Sequence, residues 1–201
     1  RYMLGALDGF DPARDAVPVD ELEPLDRWAL AKLAAWDEKV KAAYEDYEFH
    51  VAYHATMQLC AVDLSSLYFD IVKDRLYTWK KEGRPRRSAQ TVLWIIAQDV
   101  IRLLAPVLSF TASEAWGFLP GRPAESVFLA GWPEAGEADE ALLAEIGEVR
   151  AMVALGHRAR DGAGLKLRQP LRSLVVDGAQ RAVGHADEIA AELRVKAVAF
   201  E

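Results

Sequence analysis

His50 and His54 stand four residues apart, a spacing that puts two imidazoles on one helical face, within reach of a single metal ion. The stretch reads His-Val-Ala-Tyr-His, however, so the first histidine is not followed by the glutamate that a zinc peptidase uses as its general base. Two partly buried histidines packed among Phe49 and Tyr53 are the expectation. Cys60, the one cysteine, falls on an apolar helical face with no neighbour placed to activate it, and reads as a core thiol rather than a nucleophile. No glycine-rich phosphate loop or dinucleotide fingerprint occurs. On these grounds no catalytic residue, no metal ligand and no cofactor is assigned within the chain.

What remains is charge. The 201 residues carry 24 Lys plus Arg against 31 Asp plus Glu, a net charge of −7 that argues against a polyanionic partner. The distribution says otherwise. Asp8 to Glu48 holds 12 acids and 5 bases, whereas 73–90 holds 7 bases (Lys73, Arg75, Lys80, Lys81, Arg84, Arg86, Arg87) and 2 acids. A second basic stretch sets Arg158, Arg160, Lys166, Arg168 and Arg172 against Asp161 alone. Screening cuts off distant charges beyond about 8–10 Å, so a local patch can hold an anion whatever the total. Trp79 lies directly before Lys80 and Lys81 at the end of a predicted helix. An aromatic beside cations is one way to hold single-stranded RNA; a connector tucked against the bundle is the other reading.

The elements that must position these residues are mostly helices. The chain is long enough for one domain, or one with a small appendage, and can bury a core without staples. A single cysteine excludes a disulfide scaffold and favours a reducing compartment. No run approaches the roughly 18 apolar residues of a membrane span, and no signal peptide is visible, so a cytoplasmic protein is expected. The opening Arg-Tyr-Met-Leu-Gly reads as the end of a helix and suggests a fragment of something longer. Residues 11–24 carry three prolines without apolar periodicity and read as a connector.

From Leu25 the apolar residues Trp28, Leu33, Trp36, Val40 and Tyr44 recur at three- and four-residue steps, predicting a long amphipathic helix with Pro24 in its first turn. A second helix is predicted over 49–61, with Asp63 to Ser66 capping a third over 67–77. Lys80 to Arg87, with Gly83 and Pro85, predicts a loop, and Ser88 a cap for an apolar helix reaching Leu104. Thr111 to Glu114 has capping-box spacing for a short helix. Residues 137–160 are helical, acidic first and basic last. The period then changes: strand 173–176, helix 184–193, strand 195–200. Trp28, Trp36, Trp94 and Trp116 are expected in the core. The fold class is mainly α, an antiparallel helical bundle with a small α+β tail. Its parts are 1–23, the end of a helix and connector; 24–135, the bundle; 136–164, a long helix; and 165–201, a small α/β junction.

Particular blocks resemble a known family. Asp63-Leu-Ser-Ser-Leu-Tyr-Phe-Asp-Ile-Val-Lys-Asp-Arg-Leu-Tyr77, with Arg1 to Leu7, Tyr-Glu-Phe-His50, Arg-Arg-Ser-Ala-Gln-Thr91 and the run from Leu104 to Trp116, is similar to the anticodon-binding domain of bacterial isoleucyl-tRNA synthetases. The blocks occur in the family's order over about 1–135. Lys166-Leu-Arg-Gln-Pro-Leu171 and Ala191-Glu-Leu-Arg-Val-Lys196 resemble the junction after the bundle in isoleucyl and valyl enzymes. One departure is Arg194, where the family often has Asn.

The resemblance implies a bundle of the class I synthetase anticodon-binding type from a ligase that joins isoleucine to its tRNA using ATP and magnesium. Its catalytic signatures, a His-x-Gly-His-like motif and a Lys-Met-Ser-Lys-Ser-like loop, are absent here. So is a cysteine zinc cluster. The expected partners are tRNA specific for isoleucine and the catalytic and editing domains of the same parent chain, with no membrane and a monomeric state. Lys73, Arg75, Lys80, Lys81, Arg84, Arg86 and Arg87 are the candidate phosphate contacts, with Trp79 stacking on a base. Arg158, Lys166, Arg168 and Arg172 form a second contact with the tRNA body. The alternatives are the anticodon-binding domain of a valyl enzyme, a helical protein-interaction module, and a small hydrolase built on His50 and His54.

Overall fold

The computed structural model describes residues 1–134 and 136–201, in two compact units, Arg1–Ala138 and Asp139–Glu201. Residue 135, the last of the expected bundle, lies outside the described residues.

The first unit opens with α1 (Tyr2–Ala6), and the connector contains a short helix, α2 (Pro12–Asp15), and a 3-10 turn over Val19–Glu21. The connector expected from its prolines is thus partly helical. Pro12 serves as a first-turn residue and the Asp11 side chain accepts from Ala13 N–H, which stops α2 from unwinding. Next comes α3 (Pro24–Glu45), entered through an extended Glu23 with Pro24 in the first turn, as its sequence predicts. It buries Trp28, Ala29, Leu33, Trp36 and Val40 against α4 (Phe49–Met57) and α6 (Arg84–Leu104). From its opposite side α6 contributes Val92, Leu93, Ile96 and Leu103. Each fully buried side chain of this size is worth about 1.5–3 kcal/mol, so these two helices dominate the core. Trp116, on α7 (Ser109–Gly117), is buried as well, and Trp94 is half-buried with its indole N–H donating to Pro120 O at 2.8 Å.

Four local readings are corrected. No cap interrupts the chain at 63–66: the helix runs without a break from α4 through a wide segment, Gln58–Tyr68, into α5 (Phe69–Thr78). There Ser65 Oγ donates to Cys60 O at 2.6 Å and Ser66 Oγ to Ala61 O at 2.8 Å, five residues back, so the hydroxyls serve the widened ladder instead of a helix start. Nor does Ser88 cap α6, which begins four residues earlier with Pro85 in its first turn. Ser88 is fully buried; its hydroxyl donates to the Asp26 carboxylate and accepts from Glu23 N–H at 3.0 Å. Thr111 and Glu114 lie inside α7, whose N-cap is Leu108, and so form no capping box. His50 and His54 are exposed, not partly buried.

In the second unit α8 (Glu140–Gly162) is capped by Asp139, which accepts from Leu142 N–H at 2.9 Å. Beyond it β1 (Leu174–Val176) pairs in parallel with β2 (Val198–Phe200), Leu174 opposite Val198, with α9 (Ala186–Glu192) as the crossover. Met152, Ala182, Ile189 and Leu193 form its core. A Cβ on Gly156 would meet the Leu193 methyl at 2.4 Å, so only glycine lets α8 approach this closely. The helix expected from residue 184 starts at Ala186, since Gly184 and His185 close a 3-10 segment, Gln180–His185.

Candidate nucleic-acid interface

The first basic stretch is distributed over three local structures. Lys73 and Arg75 lie on the last turns of α5; Trp79, in an extended conformation at φ −86° and ψ 163°, ends that helix and throws Lys80 and Lys81 into a turn; Arg84, Arg86 and Arg87 occupy the first turn of α6. The turn is tight, because Gly83 N–H donates to Lys80 O at 2.9 Å and a Cβ at Gly83 would sit 3.1 Å from that oxygen. Three arginines and no acid in a first turn oppose the helix dipole. The connector supplies the missing negative charge: Asp15 lies 3.3 Å from Arg87 and Glu21 lies 3.8 Å from Arg84, whose guanidinium also donates to Glu21 O at 2.7 Å. Hydrogen bonds from Arg14 hold the Asp15 carboxyl well below the usual range, at about 2.

The structure therefore sorts the seven cations. Arg75 faces inward, 3.4 Å from the fully buried Asp26, which also accepts from the Tyr68 hydroxyl at 2.7 Å and from Ser88. Burial pushes the Asp26 carboxyl above its ordinary value, against the pull of these donors and of Arg75. Arg87 and Arg84 are tied to the connector, and Lys73 is paired with Asp70 at 2.5 Å. Lys80 and Lys81 are exposed, with no ion pair among the described residues. Arg86 is half-buried and its Nε has no partner among the described residues. Trp79 is 50% exposed, so it is not tucked into the bundle.

No spacing in the sequence hints at a groove of about 600 Å³ along α5, lined by Tyr2, Ser65, Phe69 and Tyr77 and by Lys73 between the carboxylates of Asp70 and Asp74. Tyr2 and Phe69 stack at 4.5 Å between ring centroids, and burial pushes the Tyr2 phenol up to about 12. Its aromatic faces can take an unstacked base, while Asp70 and Asp74 leave it no net positive charge to draw a phosphate. One ring comes from the start of the first unit's sequence and the other from its middle, and no local pattern could have joined them.

In the second unit Arg158 is exposed near the end of α8, and Lys166, Arg168 and Arg172 are exposed in the segment leading to β1. Arg160, between them, is buried. Among the described residues no group of three or more His, Cys, Asp or Glu could hold a metal ion. Burial raises the Cys60 thiol pKa, which keeps it in its unreactive form. Among the described residues no helix is long and apolar enough to cross a membrane.

Residues 26–175 match the family model of the anticodon-binding domain of tRNA ligases. The chain belongs to that family. Among curated relatives of this anticodon-binding domain, the isoleucine–tRNA ligase of Syntrophotalea carbinolica is 56% identical over 129 residues, 64% of this chain and 14% of that protein. The corresponding ligase of Geobacter sulfurreducens is 52% identical over 134 residues, 67% of this chain and 14% of that protein. That of Moorella thermoacetica is 53% identical over 137 residues, 67% of this chain and 15% of that protein. The match thus spans about a seventh of the length of these relatives, and the resemblance carried by Asp63–Tyr77 is confirmed.

Proposed function

We propose that this chain is the anticodon-stem-loop-binding part of an isoleucine–tRNA ligase. The match of residues 26–175 to the anticodon-binding family carries the reading, and the names of the relatives favour isoleucine over valine. Lys80 and Lys81, exposed in the turn before α6, meet backbone phosphates, and Arg86 adds to the positive potential of that helix's N-terminus. Trp79, or the rings lining the groove of Tyr2 and Phe69, stacks on a base released from the loop. Lys166, Arg168, Arg172 and Arg158 make a separate phosphate contact. Binding here orients the tRNA, while activation of isoleucine with ATP and magnesium belongs to the remainder of the longer parent, a cytoplasmic monomer.

Titration of the chain with isoleucine-specific and valine-specific tRNA at two salt concentrations tests this. Tighter binding of the isoleucine tRNA, weakening steeply with salt, is the expected result. Failure to bind either tRNA at low salt overturns it.

A further inference from the structure

The end of α8 holds a cation in an unusual place. Arg160 is 5% exposed, and no carboxylate pairs with it among the described residues. One of its terminal nitrogens donates to three backbone oxygens of the following segment, those of Lys166 at 2.8 Å, Leu167 at 3.3 Å and Gln169. Its Nε and other terminal nitrogen are buried without a partner among the described residues. Its own carbonyl accepts from Leu165 N–H at 2.9 Å. Both ends of one residue therefore grip the segment.

Stopping the helix does not require this side chain. Gly164, at φ +68°, already ends α8: its N–H donates to Asp161 O at 3.0 Å while Leu165 N–H reaches Arg160 O, the paired bonds of a left-handed helix stop. Packing does not require it either, since a buried guanidinium with unpaired donors costs free energy that an apolar side chain would not. What the guanidinium adds is direction. It turns the carbonyls of 166, 167 and 169 inward, and Lys166 and Arg168 stand exposed on the segment so fixed.

We infer that Arg160 is a positioning residue that pre-orders the 165–170 segment so that Lys166 and Arg168 meet adjacent phosphates of a folded RNA. The inference rests on the tRNA-binding reading above. It differs in assigning the organising role to a cation that never touches the ligand. Without the clamp, the segment would have to be ordered at the moment of binding, an entropy that outweighs two exposed phosphate contacts, so neither contact is made.

Two measurements on the 201-residue chain test it. Trypsin cuts after Lys166 and Arg168, and both bonds lie in the clamped segment; Arg160→Met is expected to speed those cuts at least tenfold. In tRNA titrations, Arg160→Met is expected to lower the slope of log affinity against log salt by about 1.5, the share of two phosphate contacts, as does the pair Lys166→Ala and Arg168→Ala. All three substitutions together should lose no more than the pair, because the clamp acts only through those side chains. Arg160→Lys, whose ammonium has three donors for the three carbonyls, is expected to restore both readouts and covers the case in which the methionine variant does not fold. Unchanged cleavage in Arg160→Met, or a slope loss that adds to that of the alanine pair, overturns the inference while leaving the tRNA reading intact. If the unaltered chain binds no tRNA, both the reading and the RNA role fall, and the cleavage rates alone decide whether Arg160 orders the segment.

Discussion

The Arg75 guanidinium lies 3.4 Å from the Asp26 carboxylate, which is fully buried between α3, α5 and α6 and takes further hydrogen bonds from Tyr68 and Ser88. A cation counted with the basic stretch by position is thus spent on the core. Asp26→Ala strands three donors at once and is expected to cost about 3–5 kcal/mol in urea unfolding. Arg75→Met leaves the carboxylate two of its donors and is expected to cost less, about 1–3 kcal/mol. The salt dependence of tRNA binding should not change in Arg75→Met, and a fall in its slope would return Arg75 to the RNA surface.

Lys80 and Lys81 present the opposite case, exposed and without ion pairs among the described residues. Replacing both with alanine is expected to lower the salt slope of tRNA binding by about 1.5. Lys73→Ala should do less, because Asp70 already neutralises that ammonium. Equal losses from both variants, read by titration at a series of salt concentrations, would show that the ion pair opens on binding.

Asp99 introduces a pH dependence. Burial pushes its carboxyl up to about 7, with Asp37 adding to the shift and Arg102 and Lys41 opposing it. The folded chain then keeps a proton that the unfolded chain releases near pH 4, so stability is highest below that point and falls as pH rises to about 7. Asp99→Asn carries no such proton. Relative to the unaltered chain it should gain stability from pH 4 upward, reaching about 2–4 kcal/mol at pH 8. Parallel stability curves across that range would count against the shift.

Arg194 closes α9 at φ +52°, with its N–H donating to Ala191 O at 3.3 Å and Val195 N–H donating to Ala190 O at 2.9 Å. This is the same left-handed stop that Gly164 provides for α8, built here on a residue with a Cβ. Asparagine tolerates that conformation better than arginine, because its short polar side chain can hydrogen-bond locally. Arg194→Asn is expected to stabilise the second unit by about 0.5–1 kcal/mol, read from its thermal midpoint.

Periodic signals in the sequence translated well into structure. The three- and four-residue steps from Leu25 gave α3, and the tail's change of period gave a strand, helix and strand. Signals carried by single polar residues did not, because a hydroxyl that can cap a helix can equally serve a distant partner. Ser88 bonds Asp26, 62 residues away, and Ser65 bonds a carbonyl within its own widened helix. The candidate interface failed in the same way. A count of charges along 73–90 cannot reveal that Arg84 and Arg87 meet Glu21 and Asp15, or that Tyr2 reaches Phe69. The two ion pairs exist only after the connector folds back along α6, and the ring pair only after α1 reaches α5.

The widened helix between α4 and α5 has a bearing on how this chain can change in length. An ordinary helix that loses one residue turns everything downstream by about 100°, which would swing the buried face of α6 out of the core. A ladder bonded to the fifth residue back holds a reserve of chain. Losing one residue there lets a turn tighten to the ordinary spacing, and the side chains of α5 keep their directions. Length variants should therefore collect between residues 58 and 68, immediately before the helix that delivers Trp79 and the lysines, and be purged from α3 and α6.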